Sequence, residues 1–258
     1  NNIPVIRRIS GGGTVYHDLG NVNLTLIQTM EKQENLIDFR KFTQPVIDFL
    51  KQFGLEAYFE GKNNLTVKGK KFSGNSAHVF KNRVMHHGTF LYHTDLNRLE
   101  KVIHRGNSHI IDKSIKSIRA TVGNISEYLE SPVSTETFVH RLGLFLKDYY
   151  HIGTTVDITP EEHLAIEKLV EEKYSRWAWN MGYSPKYDIR GERDTEYGKF
   201  QVALEVKEGK ITDVQLVFEG KKLEKIEQKL LGQRHDKVYL QRILTDNHFS
   251  EVIINTLF

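Results

Sequence analysis

The chain has 258 residues, 39% of them hydrophobic, enough to bury one sizeable core or two smaller ones. Its 36 basic and 33 acidic side chains are spread along the sequence, and a net charge of +3 is too small a bias to point to nucleic acid. No apolar run approaches the roughly 20 residues of a membrane span, nothing resembles a signal peptide, and the absence of cysteine excludes disulfides, thiolate metal sites and cysteine nucleophiles, so the chain reads as cytoplasmic.

The sequence begins with Asn1 rather than methionine and enters the apolar run Ile3-Pro4-Val5-Ile6 at once, so a further segment is expected to precede it. Residues 3–28 read as strands joined by a tight glycine loop, with Val22, Leu24 and Leu26 alternating. Phe39, Phe42, Val46, Leu50 and Phe53 recur at helical spacing behind a cap at Asp38, and Gly54 suits the end of that helix. From Leu55 to Tyr92 strands return, separated by hairpin turns at Glu60-Gly61, Lys68-Gly69-Lys70 and Lys81-Asn82. Helices are expected on Leu96 to Ile103 after Asp95, on Phe138 to Tyr149, and behind Thr159-Pro160-Glu161-Glu162, where a capping box meets an N1 proline. Gly182 and Pro185 break the helical pattern, placing a domain boundary near residue 185. Beyond it come a hairpin (Val202 to Val206, Val214 to Phe218) and three helices, on Leu223 to Leu230, Val238 to Leu244 and Val252 to Leu257.

Chemistry concentrates in three stretches. In Arg7-Arg8-Ile9-Ser10-Gly11-Gly12-Gly13-Thr14-Val15-Tyr16-His17-Asp18, consecutive glycines let backbone N–H groups approach an anion and the arginines can add charge-assisted bonds, although a plain flexible turn would also use them. The loop fits neither the Walker nor the dinucleotide fingerprint. Lys70-Lys71-Phe72-Ser73-Gly74-Asn75, after Gly61-Lys62-Asn63-Asn64-Leu65, can aim an ammonium into a cleft; alternation favours Lys71 and Ser73 on one face with Phe72 on the other, against the bland alternative of a solubilised hairpin. His86 and His87, adjacent on a strand, point to opposite faces and so do not share a metal, and Ser10, His17 and Asp18 form a triad by composition only.

Taken together, residues 7–23, Gly61 to Leu65, Lys71 to Asn75, His86-His87-Gly88-Thr89 and the Trp-x-Trp-Asn-x-Gly-x-Ser-Pro segment at 177–185 resemble the lipoate-protein ligase A family of the biotin/lipoyl ligase superfamily, in order and spacing along the whole chain. The resemblance implies an α/β (α+β) catalytic domain, a mixed sheet flanked by helices, over residues 1–184, with a small α+β accessory domain over 190–258. It implies ATP and Mg2+ as a substrate complex and lipoate as second substrate, with no permanently bound cofactor and no protein metal site. Lipoyl-AMP would form and the lipoyl group would pass to a lysine of a lipoyl-domain acceptor, of the glycine-cleavage H protein or 2-oxoacid dehydrogenase E2 type. Carried over by position, Arg8, Gly13, Thr14, Val15, Tyr16, Asn63, Asn64 and Lys71 would hold ATP and adenylate. Ser10, Gly11, Gly12, His17, Lys71 and His87 would hold lipoate, and Lys71 would be catalytic. Val15 and Val22 are candidates for the lipoyl pocket. A monomer is expected, without nucleic acid or membrane.

Two departures from the family pattern stand out. Asn64 replaces an aspartate that could help hold magnesium, and an N-terminal segment with a nucleotide-contacting arginine and glutamine is missing, from which an unstable or inactive protein is expected. The competing readings are an ATP-independent lipoyl or octanoyl transferase and a non-catalytic lipoyl-binding module.

Overall fold

The computed structural model describes residues 3–30, 37–103, 110–112, 121–245 and 249–258. Backbone contacts divide them into two compact units: one within 8–104 and 115–157, the other within 1–7, 105–114 and 158–258.

The first unit is built on an antiparallel sheet of β1 (Asn21–Thr29), β2 (Ala57–Glu60), β3 (Asn64–Val67), β4 (Lys70–Phe80) and β5 (Arg83–Leu91), in the order β1-β5-β4-β3-β2. The tight connections are made by left-handed residues: Lys68 and Gly69 have φ of 48° and 74°, and Gly61 and Lys81 are also left-handed. One parallel bridge, Lys71 to Val122, makes the sheet mixed. Helix α1 (Phe39–Lys51) starts where the Asp38 side chain accepts from the Lys41 N–H and runs through Pro45. It buries Phe42, Val46, Phe49 and Leu50 against the sheet. Helix α2 (Leu96–Ile103) is capped by Asp95, and α3 (Thr135–Tyr149) brings Phe138, Leu142 and Leu146 to the same core, where Phe138 stacks on Tyr92.

The second unit has β6 (Ile110–Asp112), β7 (Tyr187–Thr195), β8 (Gly198–Lys207), β9 (Lys210–Phe218) and the short β10 (Lys221–Lys222), antiparallel in chain order. Helix α4 (Pro160–Leu169) carries the capping box expected at Thr159 and Glu162. It continues into π-helical turns at Val170–Tyr174 and Ala178–Gly182, and the chain leaves helix before Pro185. Helices α5 (Glu224–Leu230), α6 (Lys237–Ile243) and α7 (Ser250–Leu257) supply Ile226, Leu230, Leu240, Ile253 and Leu257 to a core with Phe200, Val206, Ile211 and Leu216.

The strand expected ahead of the glycine loop is not formed. Val5 and Ile6 are 64% and 75% exposed, and this segment pairs with no strand among the described residues. Arg7 is instead tied to the 179–184 segment: its N–H donates to Asn180 Oδ1, its guanidinium to the carbonyls of Trp179 and Asn180 and to Ser184 Oγ, and its carbonyl accepts from the Trp179 indole. Among the described residues, no helix is long and apolar enough to cross a membrane.

Candidate active site

The two faces of β4 and β5 have different chemistry, set by register. Ala77 pairs with His86, on the face covered by α1, where the imidazole stacks on Phe42 at 4.6 Å and 8°. Ser76 pairs with His87 on the opposite face, and the glycine loop lies there. Adjacent histidines thus reach opposite faces, as expected.

The loop is fastened by its carbonyls. Arg8 Nη2 donates to Gly11 O (2.8 Å) and Gly13 O (2.9 Å), its Nε to Ser10 Oγ (3.1 Å), and Ser76 Oγ donates to Gly11 O (2.7 Å). Gly12 takes φ 109°, which a side chain would strain, and a Cβ there would lie 2.7 Å from the Arg8 guanidinium. With the carbonyls occupied, the N–H groups from Gly12 to Tyr16 have no acceptor among the described residues. Free N–H groups beside a fixed guanidinium are the kind of donors that anion sites use.

Ser10 Oγ lies 2.5 Å from His87 Nε2. Burial, then the Arg8 charge, push His87 below the usual histidine range; burial and Arg8 do the same to His17 against a smaller opposing effect of Asp18. Both shifts favour the neutral ring. His17 lies 3.4 Å from the Asn23 amide, whose oxygen accepts from Thr89. No triad exists: Ser10 meets His87, and the Asp18 carboxylate accepts from the N–H groups of Gly20 and Asp95.

Lys71 stands at the start of β4, held on both sides. It pairs with Thr66 of β3, its N–H donates to Thr121 O (2.8 Å), and its carbonyl accepts from Gly123 N–H (3.1 Å). Burial lowers its pKa, and among the described residues neither Lys71 nor Arg8 forms an ion pair. The expected sharing of a face by Lys71 and Ser73 is corrected. Leu65 pairs with Ser73 but Thr66 with Lys71, so Phe72 is an extra residue and the strand bulges. Phe72 and Ser73 both turn to the buried side, at 1% and 2% exposure, and Lys71 stays on the loop side.

The remaining candidates divide. Asn64 pairs with Gly74, on the Lys71 face. Asn63 is a staple: its amide donates to Asn75 O (2.5 Å), and its carbonyl accepts from the Asn75 N–H (3.0 Å) and side chain (3.1 Å). Thr14 and Val15 are exposed, Tyr16 is buried, and Val22 belongs to the apolar core, which is ordinary packing. Sequence reasoning missed Ser76 and, although it quoted Asn75 within the 71–75 motif, gave that residue no role. Their signal was the pairing of β4 with β5: Asn75 Oδ1 fills the space where a Cβ on Gly88 would lie, 2.2 Å away. Among the described residues, no group of three or more His, Asp or Glu is placed to hold a metal.

The first unit is an α/β domain with helices on one face of its sheet and Arg8, Lys71 and N–H donors without acceptors on the other, an arrangement suited to an anionic substrate. The family model for the lipoyl protein ligase A/B catalytic domain matches residues 1–146, and that for the bacterial lipoate protein ligase C-terminus matches 184–257. The chain is 35% identical to lipoate-protein ligase LplJ of Bacillus subtilis over 249 residues, and 37% identical to lipoate-protein ligase 1 of Staphylococcus aureus over 251. Each alignment covers 95% of this chain and 75% of the relative. Among solved structures, lipoate-protein ligase A bound with ATP superposes with a TM-score of 0.58 at 28% identity, covering 70% of this chain and 73% of its own. A structure described as a bipartite lipoate protein ligase and its E2 lipoyl domain from Thermoplasma acidophilum, of an archaeal lipoylation system, gives 0.56 at 26%, covering 70% and 71%. The chain belongs to the lipoate-protein ligase A family.

Proposed function

We infer that this chain is an ATP-dependent lipoate-protein ligase: it joins lipoate to ATP as lipoyl-AMP and passes the lipoyl group to a lysine of a lipoyl-domain acceptor. The observation that carries this reading is the glycine loop with its carbonyls tied down and its N–H groups free, on the sheet face that also bears Lys71. Adenylation brings a carboxylate to the α-phosphate of ATP, and fixed positive groups must offset the repulsion between them.

In this reading Arg8 and the N–H groups of Gly13 to Tyr16 hold phosphate, with Thr14 and Val15 contributing backbone. Lys71 bridges carboxylate and α-phosphate and stabilises the charge that develops as the carboxylate oxygen attacks and pyrophosphate leaves. Ser10, Gly11, Gly12, His17 and His87 line the lipoate end. Mg2+ enters with ATP as part of the substrate. Asn64 faces the same side as Lys71 and can donate or accept toward phosphate, whereas Asn63 acts by fixing the turn. In the second half-reaction the acceptor ε-amine attacks the mixed anhydride and AMP leaves, a step that asks mainly for proximity.

The acceptor we propose is a glycine-cleavage H protein or a 2-oxoacid dehydrogenase E2 domain, the enzyme acting as a cytoplasmic monomer. We also propose 1–184 as the catalytic domain and 190–258 as the accessory domain. Limited proteolysis tests that boundary: a resistant fragment beginning near residue 185 supports it, and one beginning near 158 moves it to the seam between the compact units.

The activity is tested by pyrophosphate release from Mg-ATP with the full-length protein. Release that requires lipoate, followed by a lipoyl mass increase on one acceptor lysine, is the expected result. Lipoyl transfer without ATP, or no pyrophosphate with lipoate and acceptor both present, would overturn it.

A further inference from the structure

A regular strand would not put Lys71 where it is. Along β4, Ser73, Ala77 and Val79 lie on the buried face: Ser73 pairs with Leu65 and Phe90, both in the core, and Ala77 and Val79 pack against the cluster of Met30, Phe42 and Val84. Unbroken alternation carries residue 71 to that same face. The bulge at Phe72 reverses it, so that Lys71 shares a face with Gly74 three residues on, and with Ser76 and His87 beyond.

The side chain then follows the strand. A Cβ built on Gly74 would meet Lys71 Nζ at 3.2 Å and Cε at 3.3 Å, with nothing else within 4 Å. Gly74 has no left-handed φ, so backbone conformation does not demand glycine there. What occupies the missing side chain's place is the end of Lys71.

Resting on the reading of Lys71 given above, we propose that the Phe72 bulge and Gly74 together form a berth that aims the Lys71 ammonium, making Gly74 a positioning residue for adenylate formation. The bulge selects the face and Gly74 sets the height of the ammonium above the sheet. An alanine at 74 lifts Nζ by a few tenths of an ångström and leaves the core untouched, because the only contact it meets is a flexible tip.

A double-mutant cycle tests this with the full-length protein, reading the affinity for a non-hydrolysable lipoyl-sulfamoyl adenylate by calorimetry alongside thermal unfolding. Gly74→Ala is expected to unfold with the parent and to bind about tenfold more weakly, as a small misplacement of a positioned charge does. Lys71→Ala is expected to bind more weakly still, and the double variant no more weakly than Lys71→Ala. Parent affinity in Gly74→Ala overturns the proposal. So does an additive loss in the double variant, which would mean that Gly74 acts on something other than Lys71. A Gly74→Ala protein without an unfolding transition also overturns it, since the Cβ would then be meeting more than a side-chain tip. Parent affinity in Lys71→Ala is a separate result, which removes the role of Lys71 and the berth with it.

Discussion

The two faces of the first sheet are made by the same strands, yet they obey different rules. The face under α1 is filled by Phe72, Phe90, Leu65 and Val67, each at 1% exposure or less, and the one imidazole there, His86, has its Nε2 buried without a partner. The loop face carries Lys71, Asn64, Ser76 and His87, where Ser76 donates to the Gly11 carbonyl and His87 meets the Ser10 hydroxyl of a loop that itself leaves N–H donors free. The difference separates what holds the protein together from what it can bind. Substitutions on one face should move stability, and substitutions on the other should move chemistry.

Phe72→Ala is the severest trial of the buried face. Removing a ring that is 1% exposed should cost about 3–5 kcal/mol of unfolding free energy, measured by denaturant titration. A loss below about 1 kcal/mol would mean that the bulge is not anchored by its packing. Lys71→Ala tests the other face: adenylation is expected to fall by about 10²–10³-fold, as when one preorganised charge donor is removed, with the unfolding midpoint unchanged. Retained activity, or a large drop in stability, would dissolve the division between the faces.

Acid gives the smallest and most graded test. Burial depresses the His86 pKa to about 4, with a lesser contribution from His87. Between about 6.5 and 4 the unfolded chain takes up a proton that the folded chain refuses, so stability should fall as pH drops through that window and level off, for this group, below it. His86→Phe keeps a ring against Phe42 and should flatten the slope. His235, also depressed to about 4 in the second unit, remains as an internal reference. An unchanged slope in His86→Phe would show that His86 does not contribute to it.

Much of this was legible beforehand. The caps at Asp38 and Thr159, the left-handed turns at Gly61 and Lys68-Gly69, and the division of His86 from His87 each rest on one local rule, and local rules are what a sequence carries. The strand expected ahead of the glycine loop failed because strand propensity is realised only by pairing, and Val5 and Ile6 have no neighbour of that kind among the described residues. The face of Lys71 was misjudged relative to Ser73 for a similar reason: a bulge belongs to two strands at once, and a pattern read along β4 alone cannot register it. The roles of Asn75 and Ser76 stayed hidden because their partners, Asn63 and Gly11, lie 12 and 65 residues away in sequence.

The seam between the compact units falls between two adjacent arginines, Arg7 belonging to one and Arg8 to the other. Neither unit is continuous in sequence, so no single cut yields both whole. A fragment started at the glycine loop would keep Arg8 but strip the 179–184 segment of the residue that satisfies its carbonyls and its indole. Lysine at position 7 would preserve the charge but not the planar fork that serves Trp179, Asn180 and Ser184 together. Anyone dissecting this enzyme, or recombining it with a relative, should move residues 3–7 with the C-terminal half.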